Sequence, residues 1–319
     1  MGGIDLVPYK RGMKHLILTS AALLAALPAL AQSTPQNAAV NLIAEGRHMS
    51  VLNEQTFGDD PYIIPTPPEN ATQFAFTLKG YVFGIRLVKA SYFGFESDTD
   101  YAAYTDMQTS GLAALLKKLD IWAVTRGKVT PDGSLRPDFH VQQNTDEKNR
   151  RVEMVYDNDA RSVDVAIIPR LGSQGTPPAS PAERYSAYDT PTALLQLMRR
   201  GRTDAASLCN GKVPVFDSKQ HYNLRLAPVG TEKVKFLGDK NQTIHCYIYY
   251  EPISGFDAED LPDAEEVGTP IDVYFKYYPD VDMHVPVRFA YRISSFKAVI
   301  KMTGLMFVTP DGDVIMAES

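Results

Sequence analysis

The residues that could do chemistry are four histidines and two cysteines, and their spacing matches no familiar catalytic motif. His140, His221, His245 and His284 each fall inside or beside a segment that we predict to be a strand. A sheet can bring two such side chains together, but the spacing typical of a bound metal is missing. The sequence also lacks the Gly-x-Ser-x-Gly, His-Glu-x-x-His, Walker and Gly-x-Gly-x-x-Gly motifs. We therefore predict no catalytic residue, no metal and no cofactor, and expect structural or exposed histidines.

Cys209 and Cys246 are the two cysteines of the chain, and they lie 37 residues apart. They do not form the Cys-x-x-Cys motif that is typical of redox enzymes. Because the N-terminal residues predict export to an oxidising compartment, we expect the two cysteines to form a structural disulfide. The alternative is a pair of free or redox-active thiols, which thiol titration of the unfolded, unreduced protein would detect.

The N-terminal residues have the pattern of a secretory signal peptide. Met13-Lys14-His15 supplies a basic start, Leu16–Leu27 is an apolar run, and Ala29-Leu30-Ala31 has the small residues of a cleavage site. Residues 1–31 are therefore predicted to be a signal peptide with an upstream extension. The apolar run is too short to cross about 30 Å of hydrocarbon as a helix. We predict a periplasmic protein without a transmembrane anchor after cleavage; a retained N-terminal anchor helix is the alternative.

The composition is that of a globular protein, with 44% hydrophobic and 22% charged residues in a chain of 319. This excludes a disordered chain and a disulfide-dense mini-protein. The formal net charge is −6 and the basic residues form no long run, so we predict no nucleic-acid partner. We also expect that the charge of such an acidic protein would not hold it at a membrane.

Most of the chain after residue 31 alternates between apolar and polar residues, which is typical of half-buried antiparallel strands. The alternation is clearest in residues 221–226, 271–277 and 287–293. We predict further strands at 38–46, 74–85, 86–95, 121–130, 135–145, 150–157, 161–168, 243–251 and 296–308.

Two short helices are predicted between these strands. Ser110–Leu119 carries a leucine stripe at helical spacing, and a second helix begins with Thr190 as its N-cap and ends at Gly201. Helices of this length are marginal alone, so we expect both to dock on, or plug, a sheet. The predicted fold is mainly β, with a single strongly curved antiparallel sheet that forms an open or spiral β-barrel with two short helices. Residues 32–319 are predicted to form this one domain.

The remaining segments are predicted to be loops. Residues 58–70 and 172–183 are rich in proline and are expected to be exposed and irregular. The acidic run at 257–266 is predicted to be a solvated loop. The alternative for this run is a calcium site, although it lacks the spacing and the turn glycine of an EF-hand.

The segments around the two cysteines carry a family pattern. The chain reads Cys209-Asn-Gly-Lys-Val-Pro-Val-Phe-Asp217, then Tyr222, and later Cys246-Tyr-Ile-Tyr-Tyr-Glu-Pro-Ile-Ser-Gly255-Phe256; Gly80-Tyr-Val-Phe-Gly84 lies upstream. Over roughly residues 74–308 this resembles an exported proteobacterial family, the domain of unknown function 3108. The resemblance implies periplasmic, one-domain, β-rich proteins, loosely similar to envelope-integrity proteins and to the open barrels that carry lipoproteins. It implies no reaction, and it transfers only the two cysteines, as a disulfide.

These observations favour a non-enzymatic cell-envelope protein. A curved sheet of this size can hold a lipid, an acyl chain or an envelope polymer. Phe275, Tyr277, Phe289 and Tyr291 are the candidates for lining such a cavity, although filling the core is the role that we favour for them. The alternative function is a scaffold that binds a periplasmic protein partner through a sheet edge or a Pro-rich loop. An unrecognised hydrolase would need a nucleophile and a base that only the fold brings together.

Overall fold

The computed structural model describes residues 66–110, 120–144, 149–202, 205–293 and 296–318. Several predicted features lie outside the described residues: the signal peptide, the strand at 38–46, the loop 58–70 up to residue 65, and the helix Ser110–Leu119 beyond its first residue. None of the helices in the described part is long and apolar enough to cross a membrane.

Strands dominate the described part of the chain. They are β1 (Thr72–Val82), β2 (Ile85–Glu96), β3 (Asp100–Thr109), β4 (Asp120–Val129), β5 (Leu135–Asn144), β6 (Arg150–Asp157), β7 (Ser162–Ile168), β8 (Gly211–Phe216), β9 (His221–Phe236), β10 (Asp239–Ser254), β11 (Ile271–Tyr278), β12 (Met283–Ile293), β13 (Phe296–Val308) and β14 (Val314–Glu318). The α-helices are α1 (Pro181–Ser186), α2 (Thr190–Arg199) and α3 (Ala264–Gly268). Single 3₁₀ turns occur at Ala205–Ser207 and Pro279–Val281.

The strands form one antiparallel sheet of 14 strands that does not close. Their order is β7-β6-β5-β4-β3-β2-β1-β13-β12-β11-β10-β9-β8, and β14 pairs with β13. The helix α2 lies against β3, β4, β5, β8 and β12, which come from both halves of this order. The sheet therefore curls around α2, which confirms the predicted mainly β, open-barrel class. We call the face toward α2 the inner face and the opposite face the outer face.

The helix α2 fills the space inside the curled sheet. Its apolar residues are buried on all sides of the helix: Ala193, Leu194, Leu195, Leu197 and Met198. The prediction of Thr190 as the N-cap of this helix is wrong by one position. Asp189 caps the helix, because its Oδ1 accepts the backbone N–H of Thr192 at 2.9 Å, and proline follows in the first turn.

Apolar side chains cover both faces of part of the sheet. The main core lies between the inner face and α2, and its large buried members include Phe74, Tyr92, Tyr222, Phe275 and Phe307. A second cluster lies on the outer face of the strands around β3 and includes Phe93, Phe95, Tyr104, Trp122 and Val141. Because successive side chains of a strand point to opposite faces, β3 is buried on both sides.

The predicted strands from residue 74 onward are all present, with most ends within one residue of the prediction; larger shifts occur in β1, β10 and β12, and β9 is much longer. β3, β8, β14, α1 and α3 were not predicted. Two of these occupy the ends of predicted loops: α1 begins inside 172–183, and α3 overlaps the end of the acidic run, while the rest of both ranges is irregular as predicted. A capping box stabilises the first turn of α3. In it, the side chain of Asp263 accepts the N–H of Glu266, and the side chain of Glu266 accepts the N–H of Asp263.

Candidate functional site

The predicted interior site is occupied by the protein's own side chains. Phe275, Phe289 and Tyr291 are 0%, 6% and 7% exposed and belong to the main core. They lie in the same cluster as the apolar residues of α2. A ligand on this inner face would have to replace α2.

Tyr277, the fourth predicted lining residue, does not join the other three. Its side chain is 40% exposed, and its hydroxyl donates to Asp282 Oδ1 at 2.9 Å. The pairing between β11 and β12 shifts register between Tyr274 and Phe275, where β12 carries the extra residue Val287. Tyr278 packs against the core instead, with its ring 5.5 Å from that of Phe307.

A buried polar network surrounds the N-terminus of α2. The carboxylate of Asp189 is fully buried and accepts hydrogen bonds from the Thr192 hydroxyl at 2.8 Å and the Thr125 hydroxyl at 3.0 Å. His140 Nδ1 lies 3.5 Å from Asp189 Oδ1. The hydroxyl of Tyr101 lies 3.0 Å from that of Thr192. These residues join β3, β4 and β5 to the helix.

This network resembles a hydrolase cluster in its residue types, but its geometry is structural. Burial opposes ionisation of Asp189, yet His140 and the donors of Thr192 outweigh burial, so the pKa of the carboxyl is lowered. The carboxylate is used by the helix cap and by two threonines. Both His140 and Thr125 are buried as well, at 3% and 0% exposed. The cluster therefore has no surface on which a substrate could bind.

The other three described histidines each have a separate local partner. His245 Nε2 lies 2.7 Å from Asp272 Oδ1, and its ring stacks on Tyr274. His221 Nδ1 lies 3.7 Å from a Glu183 carboxylate oxygen, and the ring of His284 lies 4.7 Å from that of Tyr277. Burial lowers the pKa of both His221 and His284. In the described part of the chain, no three His, Cys, Asp or Glu residues are grouped to hold a metal.

The outer face holds one further buried acid. Asp106 in β3 is 2% exposed, and neither carboxylate oxygen has a hydrogen-bond partner among the described residues. Its cross-strand neighbours are Ser91 and Trp122. Burial, and then the charge of Asp120, raise the pKa of Asp106 to about 8, against a smaller opposing effect of Lys89.

The segments around the two cysteines build β8 and β10 near the β8 end of the sheet. Cys209 and Cys246 are joined by the predicted disulfide, with Cα atoms 5.4 Å apart. Asp217 forms the β8–β9 turn by accepting the N–H groups of Lys219 and Gln220 at 3.1 and 2.7 Å. Gly255 has φ +83°, and a Cβ there would meet the Lys219 carbonyl oxygen at 1.9 Å. The pattern therefore specifies structure.

An open groove on the outer face is the best candidate binding site. It encloses about 720 Å³ at the end of the sheet where the β1–β2 and β12–β13 hairpins lie side by side. The register pairs Tyr81 with Val299, and these two residues form the apolar floor. The remaining lining residues are Phe83, Gly84, Arg288, Arg292, Lys297 and Lys301.

The groove is strongly basic. Arg288 pairs with Lys301 and Arg292 pairs with Lys297 across β12 and β13. Arg288 lies over the Tyr274 ring at 5.4 Å, and Lys301 lies over the Tyr81 ring at 5.5 Å. None of the four cations has an acidic partner in the described residues. The groove can therefore offer positive charge and aromatic surface to an anionic, partly apolar ligand.

Comparison with known proteins places the chain in a family. The protein family of unknown function DUF3108 matches residues 81–297, within the range over which the sequence resembles it. The chain belongs to the DUF3108 family. No curated protein matches the chain. A similar solved structure is the crystal structure of a β-barrel-like protein of domain of unknown function DUF1849 from Brucella abortus. It shares 13% identity, the alignment covers 74% of this chain and 96% of that chain, and the TM-score is 0.38.

Proposed function

We propose that the protein is a non-enzymatic cell-envelope protein that binds an anionic lipid in the outer-face groove. The observation that carries this proposal is the set of four cations around the apolar floor of Tyr81 and Val299. None of these cations has an acidic partner among the described residues. A phosphate or carboxylate headgroup would pair with Arg292 and Lys297, and apolar chain atoms would lie on Tyr81 and Val299. This moves the lipid from the inner face, where it was expected, to the outer face.

A periplasmic location is part of the same proposal. It is supported by the basic start, apolar run and small-residue cleavage pattern within residues 1–31, and by the disulfide, which an oxidising compartment favours. Cell fractionation of the intact chain and of a chain lacking residues 13–31 tests it. We expect periplasmic protein only from the intact chain, and cytoplasmic protein from both would contradict the location.

The binding test uses dihexanoyl phosphatidylglycerol, a short lipid that stays monomeric, against dihexanoyl phosphatidylcholine. Calorimetry should show binding of the anionic lipid and about tenfold weaker binding, or none, of the zwitterionic one. The double variant Arg292→Gln/Lys297→Gln should lose about tenfold in affinity for the anionic lipid. A matched control is Lys233→Gln/Lys235→Gln, which removes two exposed cations of β9 outside the groove.

Two results would overturn this function. The first is equal affinity for the two lipids, because the cations would then have no role in recognition. The second is equal loss in the groove variant and in the control, because charge anywhere on the surface would then suffice.

A second candidate function is a scaffold that adds a partner's strand at β7. This strand ends the sheet order and has a neighbouring strand on one side within the described residues. Ile168 in β7 and Val155 in β6 are 69% and 50% exposed, which provides apolar surface beside the free edge. Periplasmic cross-linking from a photoreactive residue at position 164 would capture this partner, and the groove variants would not affect the capture.

A further inference from the structure

A row of basic residues crosses four neighbouring strands on the outer face. The register pairs Arg288 with Lys301, Lys301 with Lys79, and Lys79 with Lys89. The four residues come from β12, β13, β1 and β2 in that order, and they form what we call the basic row. Because neighbouring strands are about 4.8 Å apart, the row is roughly 15 Å long. Lys79 and Lys89 extend it beyond the lining of the groove.

Few acids of the protein lie beside the basic row; at its β2 end, the acid diagonally across from Lys89 is the buried Asp106 of β3. Like charges directly opposite each other on adjacent strands destabilise a sheet. None of the four forms an ion pair in the described part of the chain. On the adjoining strand β11, the acid is Asp272, whose carboxylate is bound to His245 at 2.7 Å. An anionic surface lying over the row would remove this repulsion.

An exposed apolar tip lies at the end of β1 and β2, the last two strands of the row. Phe83 and Gly84 form the two-residue turn between β1 and β2, with φ values of +51° and +82°. Positive φ at both positions is the geometry of a type I′ turn, and it is unusual for an aromatic residue. Phe83 is 62% exposed and Ile85 is 54% exposed, while Arg86 is exposed beside them. Large apolar residues are thus held in water next to cations.

We propose that the basic row and the Phe83–Ile85 tip dock the protein on the surface of an anionic phospholipid bilayer. The phosphates would lie over the row, and Phe83 and Ile85 would enter the interfacial layer. An acidic protein could also pair with the row, but a bilayer surface takes up an apolar tip and a cationic row side by side. The row and the groove together place six cations on the outer face, so the net charge of −6 does not prevent docking. The inference goes beyond lipid binding in the groove, because Lys79 and Lys89 lie outside it.

The test is co-sedimentation of the purified protein with large vesicles. We expect binding to equimolar phosphatidylglycerol and phosphatidylcholine, weak binding to phosphatidylcholine alone, and loss of binding between about 50 mM and about 500 mM salt. Lys79→Gln/Lys89→Gln should weaken vesicle binding about 30-fold, since each basic residue near such a surface contributes about fivefold. Ile85→Ser should weaken it too, and Lys233→Gln/Lys235→Gln should not.

Separate outcomes test the two proposals. Lys79→Gln/Lys89→Gln should still bind monomeric dihexanoyl phosphatidylglycerol, because the groove is unchanged. Monomer binding without vesicle binding would overturn the docking inference alone, and vesicle binding without monomer binding would overturn the groove. Equal binding to the two vesicle types, or no effect of Lys79→Gln/Lys89→Gln, would also refute docking. The salt dependence of the unaltered protein provides a test that does not depend on any variant.

Discussion

Replacing Asp189 by alanine should destabilise the protein far more than removing an ordinary helix cap. The change removes the N-cap of α2, a loss of about 1 kcal/mol. It also removes two hydrogen bonds from the buried hydroxyls of Thr125 and Thr192 to a carboxylate. Each contributes roughly 1 kcal/mol net, because both hydroxyls keep a second partner. The expected loss in free energy of unfolding is therefore about 3 kcal/mol.

Ser180→Ala provides the matched control. Ser180 caps α1 in the same way, accepting the N–H of Glu183 at 3.3 Å, but it lies at the exposed surface. Its loss should cost about 1 kcal/mol or less. Urea unfolding followed by circular dichroism measures both variants, with Asp189→Asn as a milder change that keeps the cap.

The comparison can refute the structural interpretation of the network. If Asp189→Ala costs no more than Ser180→Ala, the buried hydrogen bonds do not hold α2 to the sheet. The pH dependence adds a second check, because the pKa of Asp189 is lowered in the folded state. Its stabilising effect should be present above about pH 4, the unfolded pKa, and should be lost as the pH falls further.

Three further predictions concern other parts of the sheet. Because the pKa of Asp106 is raised to about 8, the free energy of unfolding should fall as the pH rises from about 4 to 8. Asp106→Asn should flatten this pH dependence when it is measured by urea titrations at several pH values. An unchanged pH dependence would contradict the buried carboxyl. Reducing the Cys209–Cys246 disulfide should lower the free energy of unfolding by about 4 kcal/mol. Unfolding measured with and without reductant tests this, and an unchanged free energy of unfolding would argue against the bond. Gly255→Ala should lower the melting temperature strongly, whereas Gly268→Ala, with open space around it, should not.

The sequence predicted a strand well where one face of that strand is exposed to solvent and the other face is buried. The second half of β12 alternates clearly, since Arg288 and Arg292 are more exposed than Phe289 and Tyr291. β3 was missed because its side chains are buried on both faces, which leaves no alternation to read. The helix α3 was missed because its capping box lies in a run of acids that looked like a solvated loop.

The candidate site could not be predicted in the same way. Arg288, Lys301 and Lys79 lie on β12, β13 and β1, and only the strand register brings them into one row. Register between strands so distant in sequence depends on the whole sheet and on local shifts such as that at Thr77. The exposed Phe83 was inside the residues quoted for the family pattern, but its positive φ is a property of the turn.

The pairing of β1 with β13 has a consequence for how the chain folds. It joins the earliest described strand to the last long one, from Gln73 opposite Val308 to Val82 opposite Ala298. During synthesis from the N-terminus, β1 therefore waits for its partner until nearly all of the polypeptide has emerged. Throughout that interval one side of β1 remains an unpaired edge that another nascent chain could join. Slow, late pairing of β1 with β13 and a need for protection against aggregation follow directly from this topology.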